Sequence, residues 1–95
     1  MATKNIDIYF ISNGRNIKIG QTSDLIMRQR VLQTGNDTQL EVLYVIKDVP
    51  GELESLIHKM GAAFHVQGEW FTPEVIPHIQ KHPWYKENMK SPETN

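Results

Sequence analysis

The sequence predicts a small α+β domain: a central antiparallel β-sheet of about three strands flanked by helices, in the order β-β-α-β-α-β/α. Three observations carry that prediction. Ninety-five residues leave room for one modest core and no second. Hydrophobic residues are 39% of the chain and charged residues 22%, a balance that supports a packed core and excludes an intrinsically disordered chain. Two strand-like stretches joined by a turn signal then precede segments whose apolar residues recur at helical spacing.

The first stretch, Ile6 to Ser12, is rich in β-branched and aromatic residues. Alternation puts Ile6, Ile8 and Phe10 on one face and Asp7, Tyr9 and Ile11 on the other. Asn13-Gly14 is a hairpin signal, so Ile17-Lys18-Ile19 pairs back as a second strand that Gly20 ends. Thr22-Ser23-Asp24 supplies a helix start, with an oxygen for an orphan amide and an acid in the first turn. Leu25, Arg28, Gln29 and Leu32 share the inward face of that helix, and Gly35 sits where a helix end favours positive φ. A charge at Arg28 on or beside that face implies a partner or a cleft.

Leu40 to Lys47 is the longest apolar run and reads as the most buried strand, broken at Pro50-Gly51. Leu53, Leu56, Ile57, Met60 and Phe64 keep the spacing of an amphipathic helix, with Glu54 and His58 together on one flank. Glu69-Trp70-Phe71 is a short extended piece, and Pro73 opens a last helix to about Gln80. The domain therefore spans residues 1–80, and 81–95 read as a polar tail, loosely packed or disordered.

Composition excludes several classes of function. Without cysteine there is no disulfide scaffold, thiolate zinc site or cysteine nucleophile. No apolar run approaches the roughly 18 residues of a membrane span and no signal peptide opens the chain, which points to an intracellular, cytoplasmic protein. A net charge of −1 argues against binding nucleic acid by bulk charge. The bases nevertheless lean towards the first half, where Arg15, Lys18, Arg28 and Arg30 lie, and the acids towards the second.

A phenol or amine (Tyr9, Lys18), an arginine (Arg28) and a carboxylate (Glu54) together suit phosphodiester cleavage. The carboxylate holds a hard divalent ion, the arginine neutralises the phosphoryl oxygens, and the tyrosine or lysine orients or deprotonates water. Taken singly, each residue has a plainer explanation. Arg28 can pair with Asp24, Glu54 with His58 as a solvated helical pair, and Trp70 and Phe71 can plug the core. A zinc site from His58, His65, Glu54 and Glu69 would match no closed motif.

Spacing over the whole chain joins these residues. Ile8-Tyr9-Phe10, then Lys18-Ile19-Gly20, then Arg28 ten residues after the lysine, resembles the GIY-YIG nuclease family. Leu32-Gln33-Thr34-Gly35-Asn36, the Glu54-to-His58 pair and Gly68-Glu69-Trp70-Phe71 resemble its phage-associated, Mug-type branch. The resemblance covers about residues 6–75 and implies a GIY-YIG-like fold. It implies that Tyr9 positions or activates the nucleophilic water and that Lys18 stands at the second-tyrosine position. Arg28 would contact the scissile phosphate, and Glu54 would bind a single Mg2+ or Mn2+ ion. Glu69 would be a second acid near the site, with His58 beside it. Leu32 departs from the histidine or tyrosine usual there, Gly61 from a phenylalanine and His65 from an arginine.

The function expected is a metal-dependent DNA endonuclease with Tyr9, Lys18, Arg28 and Glu54 as catalytic residues. Arg15 and Arg30 are the candidate nucleic-acid contacts, and duplex or branched DNA the substrate. A homodimer or protein partner would supply specificity, and a phage-encoded protein acting in the host cytoplasm fits the branch. The alternative is a non-catalytic nucleic-acid- or protein-binding module on the same fold, a regulator from a phage or mobile element.

Overall fold

A computed structural model describes residues 5–92. The elements are β1 (Asn5–Ser12), β2 (Ile17–Thr22), α1 (Leu25–Thr34), β3 (Glu41–Pro50), α2 (Glu52–Met60), a 3-10 turn (Ala62–Phe64), β4 (His65–Gln67), β5 (Trp70–Phe71), α3 (Val75–Ile79) and α4 (Pro83–Asn88). The α+β class with an antiparallel sheet is as the sequence predicts, but the sheet of the described residues has five strands rather than three. Their order is β3-β1-β2-β5-β4. The additional pairing, β4 with β5, involves strands of three and two residues, too short to show alternation in a sequence.

Strand β1 is the centre of the fold. Ile8, Tyr9, Phe10 and Ile11 are all buried because β2 and β3 flank the strand and both faces are covered. The expectation that the Leu40–Lys47 run is the most buried strand therefore gives way: β3 lies at the sheet edge. Its apolar character serves contact on both faces rather than a central position, with Ile46 and Val49 joining one core and Val42 the other. A β-bulge falls between Ile6 and Ile8 against β3, where Asp48 adopts φ 61° and donates its N–H to Asp7 Oδ1 at 3.0 Å.

Alternation along β1 and β2 divides the interior into two parts. Ile8, Phe10, Ile17 and Ile19 face α2, α3 and α4 and form the main core with Ile57, Phe71, Val75 and Ile79. Tyr9 and Ile11 face α1 and pack with Leu40, Leu25 and Leu32. No residue of α1 is buried, and Arg28, read as inward-facing, is exposed on the flank of the helix. Leu56 likewise lies half exposed rather than on the inner face of α2. Gly35 closes α1 at φ −92°, so no positive φ is used there.

The stretch read as a loose tail is packed as far as residue 92. Pro83 starts α4, Tyr85 and Met89 enter the main core, and Lys90 pairs with Val45 through N–H···O bonds of 3.0 and 2.8 Å. Two aromatic or apolar residues one turn apart suffice to seat a short helix against a sheet edge whose backbone groups need partners. Residues 1–4 and 93–95, included in the predicted domain and tail, lie outside the described residues.

Candidate active site

Strand β5 pairs with β2 only at Ile17 and Lys18, and the Ile19 N–H then donates to the Glu69 carbonyl at 2.9 Å. Beyond that point the edge of β2 is open on this side, and the flank of α2 closes on it instead. His58 Nε2–H donates to the Ile19 carbonyl at 2.9 Å, which fixes its tautomer. Gln21 Nε2 donates to Glu54 Oε1 at 2.7 Å. The result is a notch where side chains from both faces of the sheet meet.

The register Tyr9↔Gly20 and Ile11↔Lys18 puts Tyr9 and Lys18 diagonally on the same face. The Tyr9 phenol lies directly across Gly20, where a Cβ would collide with its ring and hydroxyl. Only glycine permits that approach. Lys18 Nζ pairs with Glu69 Oε1 at 3.2 Å and lies 5.5 Å from the centroid of the Trp70 ring. Glu54 Oε2 is 3.4 Å from His58 Nε2 on the same helix, one turn on.

Electrostatics link these side chains. Burial pushes the Tyr9 phenol above its ordinary pKa, Glu69 and Glu54 reinforce the rise, and Arg28 opposes it. Arg28, on the exposed flank of α1, is thus near enough for its charge to reach Tyr9. Burial also pushes the Glu54 carboxyl up; the Gln21 hydrogen bond and His58 oppose this, and the charge of Glu69 and a hydrogen bond with it reinforce the rise. Two neighbouring carboxyls, one of them with a raised pKa, form an arrangement that a cation relieves.

Tyr9, Lys18, Arg28, Glu54, His58 and Glu69 are therefore brought together, whereas Arg15 and Arg30 are not. Arg15 is exposed at the tip of the β1–β2 hairpin, its N–H bonded to Asn13 Oδ1 at 2.9 Å. Arg30 lies on α1 beside Ile26, Gln29 and Gln33, on the flank away from the Thr22, Met27 and Val31 neighbours of Arg28. Asp24 is engaged as the N-cap of α1, accepting from the Met27 N–H at 3.1 Å. Phe71 is the core plug that the plainer reading made it. Among the described residues no three His, Asp or Glu side chains converge as a metal cluster, so a four-ligand zinc site from His58, His65, Glu54 and Glu69 is not formed. A cleft of about 700 Å3 lies elsewhere, between α1 and β3.

A family model, the T5orf172 domain, matches residues 7–87. The chain belongs to the T5orf172 domain family. This is a phage-associated domain related to GIY-YIG and HNH-like nuclease folds. The match includes the whole notch and most of α4. No curated protein and no solved structure matches the chain. No helix among the described residues is long and apolar enough to cross a membrane.

Sequence reasoning passed over Gln21. The available signal is alternation: Gln21 shares a face of β2 with Ile17 and Ile19, the face on which α2 packs.

Proposed function

We propose that this domain is a metal-dependent endonuclease that hydrolyses DNA phosphodiester bonds, of the GIY-YIG type and its phage-associated, Mug-type branch. The observation supporting it is the meeting of Tyr9, Lys18, Arg28 and Glu54 from four elements, with Glu69 from the turn between β4 and β5, at one notch. Glu54 would hold a single Mg2+ or Mn2+ ion, with Glu69 as its neighbour; two adjacent carboxyls offer hard oxygen donors and gain from a cation between them. Substrate oxygens and water would complete the shell. When bound, the ion supplies positive charge and Lewis acidity at the phosphoryl oxygens.

The protein's own groups have separable tasks. The raised pKa keeps the Tyr9 phenol protonated at neutral pH, so it orients the attacking water by hydrogen bonding rather than as a standing phenolate. Arg28, exposed and always charged, offers its fork to the scissile phosphate. Lys18, held by Glu69 and Trp70, can turn its ammonium to an arriving phosphate without leaving the notch. A net charge of −1 implies weak intrinsic DNA affinity, with specificity drawn from a second copy or a protein partner.

A plasmid-nicking assay in Mg2+ and Mn2+ tests the proposal. Tyr9→Phe, Arg28→Ala and Glu54→Gln should each abolish nicking with the thermal midpoint close to wild type. Retained cleavage by Glu54→Gln overturns the role of that residue. DNA binding by the wild type without cleavage in any divalent ion would establish the non-catalytic module instead.

A further inference from the structure

We propose that Gln21 is a positioning residue for Glu54, seated on a shelf that is open because residue 51 is glycine. The inference rests on the reading of Glu54 as the metal-holding carboxylate. Gln21 is an exposed strand residue, yet its amide is held in one place: Nε2 donates to Glu54 Oε1 at 2.7 Å. The other carboxylate oxygen faces His58 Nε2 at 3.4 Å, and that nitrogen is itself anchored to the Ile19 carbonyl at 2.9 Å. One oxygen of Glu54 is thus oriented from β2 through Gln21, and the other lies beside the anchored His58 ring. The remaining charged neighbour is Glu69, from the turn between β4 and β5, which Lys18 engages, and the Glu54 charge also reaches Tyr9.

Gly51 makes the Gln21 placement available. It precedes α2 with φ −61° and ψ −28°, a helical conformation that any residue adopts, so its backbone does not require glycine. Space does. A Cβ on residue 51 would stand 2.9 Å from Gln21 Oε1, and the end of a flexible side chain is what would move. The Glu54 N–H donates to the Gly51 carbonyl at 3.1 Å, so shelf and carboxylate belong to the same helical turn. Displacing the amide removes the donor from Glu54 and leaves the fold in place.

The test is a double-mutant cycle on the full chain with Mn2+ affinity as its readout. Gln21→Met keeps the length of the side chain and removes the donor; Gly51→Ala keeps Gln21 and displaces it. Each should weaken Mn2+ binding roughly tenfold to a hundredfold, as loss of an orienting partner does, with the thermal midpoint near wild type. The double variant should bind no worse than either single one, since both remove the same bond. Wild-type affinity in Gln21→Met, or losses that add, overturns the proposal. A second readout needs no metal: the two Gln21 side-chain amide protons should be well separated and slow to exchange in wild-type NMR spectra, and collapse together in Gly51→Ala. If the wild type binds no Mn2+, the metal reading of Glu54 fails, and this second readout alone decides the role of Gln21. A freely exchanging Gln21 amide in the wild type overturns it.

Discussion

The two faces of the sheet differ in how they are held. Under α2, α3 and α4 lies one continuous core, from Ile8 and Phe10 through Ile57 and Phe71 to Tyr85 and Met89. Under α1 the buried cluster is small, Tyr9, Ile11 and Leu40, and the helix leaves Ile26, Met27 and Val31 more than half exposed. Stability therefore resides on one face, while the chemistry sits at the seam, drawing Glu54 and His58 from the well-packed side and Tyr9, Lys18 and Arg28 from the thin one. A phenol that must meet a substrate cannot be sealed under a full helical layer, and a metal-holding carboxylate benefits from a rigid one.

The sharpest way to break the comparison is to attack the thick face. Phe71→Ala should cost about 3–5 kcal/mol in urea unfolding, a large share of the roughly 5–15 kcal/mol a domain has, whereas Leu25→Ala under α1 should cost much less. At the seam, Arg28→Ala should lower the single-turnover nicking rate about 10²- to 10³-fold with little change in unfolding, because its side chain is exposed and removed from both cores. Gly20→Ala should do both at once. Its Cβ displaces the buried Tyr9 ring, costing about 1–3 kcal/mol in denaturant unfolding and the nicking activity with it.

A pH titration gives a smaller, signed effect. The folded protein holds the Glu54 proton more tightly than an unfolded chain, whose glutamate titrates near 4.5. The metal-free protein should thus be favoured below that pH and lose thermal stability as pH rises through the raised Glu54 pKa. Glu54→Gln should flatten this slope, and saturating Mg2+ should oppose it in the wild type only. Smallest of all, Ile26→Ser on the exposed side of α1 should change unfolding by no more than about 0.5 kcal/mol. A larger loss would mean that α1 is covered in solution.

Much of this was legible in the residues. Alternation in Ile6–Ser12 and Asn13-Gly14 place Tyr9 and Lys18 on one face of a hairpin, and the Glu54-to-His58 spacing places both on one helix flank. Glu69-Trp70-Phe71 reads as extended and forms β5, but the strand at His65–Gln67 was not legible, because three residues carry no period and form a strand only when another edge is there to pair with. The sequence places Arg28 inward since its helix carries a broad apolar stripe; the helix in fact leans on Leu25 and Leu32, and the arginine turns to the rim. Tyr85 and Met89 looked too sparse to anchor a helix, yet the edge of β3 gave them a place.

What the sequence by itself determined is local: hairpin, helices and the absence of thiol chemistry. Those follow from periodicity, turn chemistry and side-chain type, which act over a few residues. The tertiary structure alone decided that β5 stops short along β2, that Gln21 reaches across Gly51 to Glu54, and that Glu69 meets both Lys18 and Glu54. These are distances between residues about 15 to 54 positions apart, and only the packing of one element on another sets them.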